Sequence, residues 1–442
     1  MFAYHLRLGL KSLKRNPVLT ALMIGAIAIG IAVCLTALNV FALVSSNPLA
    51  HRNDVVYAVQ MDNWDPKEPW WDDHPELAPF ELTYRDAKAV AASDIPDRTV
   101  IMRKTAMVMA PPDGVTSETA KPFISIVRMT PPDFFPMFDV PFKYGGPWDD
   151  QAETAADAVI VLSKENNEKF FGGENSVGRT VKLDDREYRV VGVLDDYYPV
   201  PKFFDVNNGA LDDPEDAYVP FERGQMFELQ SAGNTNCWAP QPVNSFSDFL
   251  ESECVWIQAW VELGSQAKVE EFKAFLDGYV LEQKKFGRFQ RPLNTKLSKV
   301  SEWLEMNEVV EDDNRVLLGI AFMFLAVCLL NTVGLLLAKF SGSAAVVSLH
   351  RALGASRALI FRQHIVEVAL IGVTGGVIGI GLGWLLLLAL RQLYNSYEVV
   401  THLDWTVGLI ALALSLVAGV LAGLYPTWRI CRLQPAPYLK TQ

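Results

Sequence analysis

Four stretches of this chain are nearly free of charge and long enough to cross ~30 Å of hydrocarbon as helices of ~20 residues: Val18 to Val44, Val316 to Ala338, Ile365 to Leu390 and Trp405 to Tyr425. They predict a membrane α-helical fold with four transmembrane helices. Between the first and second, residues 45–315 are polar and mixed. Of the 51 acidic residues, all but Glu367, Glu398 and Asp404 lie there, 48 of them against 27 Lys and Arg. This segment reads as a large acidic α+β domain outside the membrane. The overall 50% apolar and 20% charged composition is the average of these two unlike parts.

Charge also orients the chain. Residues 1–17, 339–364 and 428–442 carry Arg7, Lys11, Lys14, Arg15, Lys339, Arg351, Arg357, Arg362, Arg429, Arg432 and Lys440, with no Asp or Glu. Positive flanks stay on the cytoplasmic side. Four crossings then put both termini inside, and the large domain and the 391–404 loop outside. The first stretch is not expected to be a cleaved leader. Its 27 residues exceed a signal peptide's apolar region, and Leu43-Val44-Ser45-Ser46-Asn47 lacks small residues in A-x-A spacing.

The first 17 residues place Leu6, Leu10 and Leu13 on one helical face and their cations on the others, predicting an amphipathic helix on the cytoplasmic face, ended by Pro17. The outer domain opens with a strand at Val55–Val59, then a loop rich in Trp, Pro and Asp and a helix from Tyr84 to Ala92. Toward its end come a strand at Val255–Val261, a helix at Ala267–Glu282 and a strand at Asn294–Val300. Strand and helix pieces at both ends of the insertion suggest a membrane-proximal subdomain of 45–114 plus 236–315, with 115–235 as an inserted subdomain. Cys237 and Cys254 are the cysteines on the outer side, and an oxidising compartment favours a disulfide between them over two free thiols.

GGENSVGRT, ending at Thr180, has the glycine spacing of a phosphate loop. Such a loop needs a buried strand before its glycines and a helix after them. Here a helix-like run precedes and strand-like runs follow, and Arg179 stands where the lysine should be. The loop is expected to be a turn in the outer domain. No G-x-S-x-G, H-E-x-x-H or C-x-x-C occurs. Asp72-Asp73-His74 is a weak metal candidate because consecutive residues rarely face one ion, and no metal is expected. Trp64, Trp70 and Trp71 are candidates for contact with substrate, a partner or lipid headgroups, against the plainer expectation that they pack structurally.

In the third span Gly372 and Gly376, Gly375 and Gly379, and Gly379 and Gly383 are i, i+4 pairs, repeated by Gly419 and Gly423 in the fourth. Absent side chains let helices approach closely, within one chain or between two. Glu367, four residues past Gln363 and near the start of its span, is expected to snorkel to the inner interface. A relay of ions would need a second acid deeper in the membrane.

Three motifs resemble the MacB/FtsX-like permeases of ABC transporters, the mechanotransmission class. Ala158 to Asp196 is similar to that family's periplasmic stretch. HRALGASRALIFRQHIVEVALIGVTGGVIG, from His350 to Gly379, looks like its cytoplasmic loop and third span. GLYPTWRICRLQPAPYLKTQ looks like its C-terminal ending. The resemblance implies a MacB-like periplasmic core domain and residues 339–364 as a coupling loop for a separate ABC ATP-binding subunit, with His350, Arg351, Ala352, Leu353, Gly354, Ala355 and Ser356 at the contact. This chain is then not itself an enzyme, and ATP and Mg are bound by the partner. It further implies a second permease copy, identical or different, with a periplasmic adaptor as a further candidate partner. Membrane lipid is expected around the spans (18–44, 316–338, 365–390 and 405–425), the tail at 426–442 is expected to be cytoplasmic, and no nucleic acid is expected as a partner. The family's Arg-Glu-Ile-Gly-Ile reads Ala345-Val346-Val347-Ser348-Leu349 here, so docking is expected to differ and a mixed pair of permeases becomes plausible. The leading expectation is efflux or release of a peptide, antibiotic or lipid-linked substrate at the outer face of a bacterial inner membrane. The alternatives are an FtsX-like signalling subunit that controls a periplasmic enzyme and a lipoprotein-releasing permease.

Overall fold

The structure, a computed structural model, describes residues 12, 13, 15–111, 121–239, 242–310, 312–393 and 405–432. Most of the expected amphipathic helix, the greater part of the 391–404 loop and the tail from 433 lie outside the described residues. In chain order the elements are α1 (Pro17–Val44), β1 (Val56–Met61), α2 (Tyr84–Ala91), β2 (Arg98–Ala110), β3 (Phe123–Thr130), β4 (Phe142–Gly145), β5 (Val159–Leu162), α3 (Lys164–Phe171), β6 (Thr180–Leu183), β7 (Arg186–Leu194), β8 (Ala217–Pro220), β9 (Gln258–Glu262), α4 (Gln266–Lys285), β10 (Thr295–Lys299), α5 (Val300–Met306), α6 (Asp312–Gly342), α7 (Ala344–Ala352), α8 (Arg357–Leu393) and α9 (Trp405–Cys431), with shorter helical turns between some of them. They form two compact units, Ser46–Val309 and the union of Met1–Ser45 with Val310–Gln442.

The first unit is built on a ten-stranded sheet of order β10-β1-β9-β2-β3-β8-β5-β7-β4, with β6 against β2 and β7. Its central strands are buried on both faces. In β1, Tyr57, Val59 and Met61 enter one core, while Val56 and Ala58 enter the other. The second core is dominated by aromatic rings, among them Phe134, Phe138, Phe203, Phe204 and Trp260, which meet mostly edge to face. β2 is a single strand of 13 residues whose first part, Arg98–Met102, pairs with β9 while Arg103–Met109 pairs with β3. One strand therefore carries the ladder across both halves.

The glycine loop sits where the strand and helix order requires. Ser163 caps α3, and the helix ends at Gly172 in the left-handed region. Gly173 and Gly178 also have positive φ, at 79° and 89°, and the chain then enters β6. Helix precedes and strand follows, the reverse of a phosphate loop.

In the second unit, four helices are long and apolar enough to cross a membrane. The glycines of α8 divide between two neighbours. A Cβ on Gly375, Gly379 or Gly383 would meet Ile27, Ile31 or Leu35 of α1 at 2.7–2.9 Å, whereas one on Gly372 or Gly376 would run into Ser415 of α9. From the other side, Gly419 approaches the backbone of Gly372 and Gly423 approaches Val368. These contacts lie within one chain. Gly419→Val is therefore expected to destabilise the detergent-solubilised chain by about 1–3 kcal/mol, as overpacking does, while Gly381→Val, whose Cβ meets nothing within 4 Å, stays within about 0.5 kcal/mol. Thermal unfolding of the two variants checks the contrast.

Candidate functional site

The segment after α6 is shaped by its small residues. The long helix α6 closes on Ser341 and Gly342, Ser343 separates it from the next helix, and Ser343 Oγ donates to the Phe340 carbonyl at 2.9 Å. The short helix α7 follows. Its Ala344, Val347 and Ser348 are buried, while Ala345, Leu349 and His350 face outward. At its end the Gly354 amide donates to the Arg351 carbonyl at 3.1 Å and the Ala355 amide to the His350 carbonyl at 3.0 Å. Gly354 adopts φ of 97°, which a residue with a Cβ avoids. Ser356 Oγ then accepts the Leu359 amide at 3.2 Å and opens α8.

All seven residues from His350 to Ser356 thus form a helix stop, a left-handed turn and a helix start. Ala352, Leu353, Gly354 and Ser356 are exposed, and Arg351 and Ala355 are half-buried. What the charge pattern did not reveal is an outward apolar stripe. Ala345, Leu349 and Leu353 recur every four residues on one face, with Leu349 50% and Leu353 78% exposed. Their spacing is visible in the sequence, but which face turns outward is set by the burial of Val347 and Ser348.

Glu367 requires a correction. It does not snorkel: it is 1% exposed, and its carboxylate takes Lys339 Nζ at 2.6 Å and Ser12 Oγ at 2.7 Å, with His364 Nδ1 at 3.4 Å. Lys339 also reaches Thr20 Oγ1 at 3.3 Å. A charge near the end of a span is cheaper to pair than to leave alone, and here the pair joins α6 to α8 and to the residues around the start of α1. Lys339, one of the cations that the sequence places on the cytoplasmic side, is neutralised by this pair.

In the outer unit Trp64, Trp70 and Trp71 are half-buried. Trp64 meets Trp70 edge to face with ring centres 4.7 Å apart, and both Trp70 and Trp71 pack on Phe80, which rests on Trp303. Arg291 holds the same loop, reaching Asp62 at 3.0 Å and the carbonyls of Asp65, Glu68 and Pro75 at 3.0–3.1 Å. Arg291→Ala is expected to release this loop, raising its rate of limited proteolysis at least several-fold while the far-ultraviolet circular dichroism is unchanged. Cys237 and Cys254 are joined by a disulfide. Close to it, Arg288 ties Asp86, at 2.8 Å, to Glu253, at 2.7 Å.

A buried polar cluster of the outer unit was not legible in sequence. Arg128 on β3 is fully buried, bonded to Asp205 at 2.5 Å and to Glu215, and its guanidinium lies over Phe204. Lys202 adds 2.8 Å to Glu215, and Gln258 on β9 bridges Asp205 and Glu81. Burial opposes the Glu215 charge, but Arg128 and Lys202 hold its carboxyl down to about 2. Glu81 goes the other way. Burial, aided by Asp205, pushes it up to about 8.

An acid that keeps its proton in the folded state to about pH 8, against 4.5 normally, contributes stability that is full below pH 4.5 and is lost as pH rises through 8. Glu81 alone should therefore make unfolding easier with rising pH by up to about 1.4 kcal/mol per pH unit in that window. Glu81→Gln is expected to flatten that part of the stability profile between pH 5 and 8. Unfolding midpoints of the two proteins across the range check it.

A four-span membrane bundle, a large α+β domain inserted after the first span and a short separate helix after the second are the architecture of a membrane permease subunit. Residues 20–278 match the family model of the MacB-like periplasmic core domain, and residues 318–435 match that of the FtsX-like permease C-terminal region. The chain belongs to the MacB/FtsX-like family of ABC transporter permeases. It is 23% identical over 311 residues to the pyoverdine export ATP-binding/permease protein PvdT of Pseudomonas aeruginosa, a match covering 70% of this chain and 41% of that protein. It is also 23% identical over 352 residues to the macrolide export ATP-binding/permease protein MacB of Syntrophobacter fumaroxidans, covering 70% of this chain and 46% of that one. The chain thus spans less than half the length of these two relatives. Among solved structures, the periplasmic region of MacB from Actinobacillus actinomycetemcomitans aligns over 60% of this chain and 99% of its own, at 12% identity and a TM-score of 0.37.

Proposed function

We propose that this chain is the membrane subunit through which ATP hydrolysis, carried out by a separate ATP-binding subunit, moves an outer domain to export or release a substrate at the outer face of an inner membrane. The observation that carries this reading is the outward stripe of Ala345 and Leu349 on α7 and Leu353 just after it, followed along the chain by the exposed Arg357 and Arg362 at the start of α8. A short helix with an apolar outer face and a basic rim is suited to insertion into a groove on a partner. In this reading the partner binds ATP and Mg, a second permease copy, identical or different, completes the pair, and both termini are cytoplasmic. Two relatives are named for export of pyoverdine and of macrolides, which supports export over control of a periplasmic enzyme without specifying the cargo.

Val346 stands where the family resemblance expects a glutamate. It is half-buried beside Val347, so the contact we propose is apolar and basic rather than acidic. The test is to purify the chain with its ATP-binding subunit in lipid nanodiscs and follow ATP turnover with and without export candidates such as siderophore peptides and macrolides. Leu353→Asp and Gly354→Glu are expected to reduce substrate-stimulated turnover at least ten-fold with unchanged expression. Unchanged stimulation would remove α7 as the docking element, and stimulation solely by a wall-modifying enzyme would overturn export.

A further inference from the structure

The segment before α1, the end of α6, helix α7 and the start of α8 enclose between them a cavity of roughly 210 Å³. Arg15, Lys339, His350, Gln363, His364 and Glu367 are among its walls, with Phe340 and Val347 as an apolar floor. Two permanent cations and two imidazoles therefore face a single carboxylate. That carboxylate is already engaged by Lys339, Ser12 and His364, so it does not neutralise Arg15. Arg15 itself is exposed and has no acid partner among the described residues. The cavity keeps a surplus of positive charge at its mouth and donors along its wall.

We propose that this cavity takes the phosphate of an anionic phospholipid headgroup. A guanidinium matches the oxygens of a phosphate with paired donors, and basic pockets between spans on the cytoplasmic side are suited to lipid headgroups. The apolar surface beside it favours a lipid over a soluble anion. Val18 and Leu22, in the opening turns of α1 just after Arg15, face outward at 70% and 54% exposure. An acyl chain can lie along that face while its headgroup enters the cavity. Because the walls include His350 of α7 as well as Arg15, a bound headgroup braces α7 against the segment that leads into the first span. Headgroup binding is independent of what docks on the outer face of α7.

The experiment uses the full chain, delipidated in a neutral detergent and titrated with phosphatidylglycerol, phosphatidylcholine or inorganic phosphate, with adducts counted by native mass spectrometry. Phosphatidylglycerol is expected to bind about ten-fold more tightly than phosphatidylcholine. Arg15→Gln should abolish most of that preference, and Arg362→Gln, an exposed cation outside the cavity, should leave it intact. Arg15 is exposed, so its replacement tests binding without removing a core contact. Equal binding of the two lipids, or equal loss in both variants, would overturn the site. Inorganic phosphate binding as tightly as phosphatidylglycerol would overturn the lipid assignment.

Discussion

The ion pair between Lys339 and Glu367 is the interaction on which the arrangement of the membrane unit turns. Two opposite charges near the ends of apolar helices cannot be separated there without leaving each of them buried alone, which costs more than the pair returns when formed. Their 2.6 Å contact therefore sets how α6 and α8 stand against one another at that end, and Ser12 and Thr20 complete the shell from the chain entering α1. Farther along, the contact between helices passes from charge to shape. Gly375, Gly379 and Gly383 admit α1, and Gly372 and Gly376 admit α9. The glycines allow close packing on either side of α8, while the ion pair supplies a fixed reference for its register.

The outer unit solves a related problem by different means. Arg128 lies in an aromatic core where a lone guanidinium would be strongly unfavourable, and Asp205 and Glu215 reach it from segments distant in sequence. Gln258 and Glu81 extend the cluster to β9 and to the approach to α2. This cluster links β3 and β9, the strands that pair with the two parts of the long strand β2, to segments distant in sequence. The Trp loop, by contrast, is fastened from outside, through Phe80 and Arg291. Its three indoles pack largely on one another and on the domain.

Much of this architecture is legible in the chain. The four apolar stretches appear as helices, longer by some residues at most of their ends because turns with polar residues continue the same backbone hydrogen bonding. The strands at β1, β9 and β10 and helices α2 and α4 fall within a few residues of where alternation and helical periodicity place them. The turn at GGENSVGRT follows from its inverted surroundings. The candidate coupling segment is legible as a helix stop and start, since Gly354 and Ser356 are residues chosen by backbone geometry. Its outward apolar stripe is not, because a nine-residue helix with apolar residues on several sides has no unique inner face until neighbouring helices cover one of them.

The amino-acid order by itself determined that this chain enters lipid four times, that an acidic domain is inserted after the first crossing and that no phosphate loop lies in that domain, because hydropathy, charge and turn chemistry act over a few residues. Tertiary structure decided which charges are neutralised and which stay available. Lys339 and Arg15 look alike as cations near the same membrane end, yet Lys339 is sealed against Glu367, whereas Arg15 is left at the mouth of a cavity. The difference lies in a pair formed between two separate helices and completed by Ser12 and Thr20, which lie 355 and 319 positions from their partners, and such pairing depends on how helices pack, not on the local pattern that places each of them.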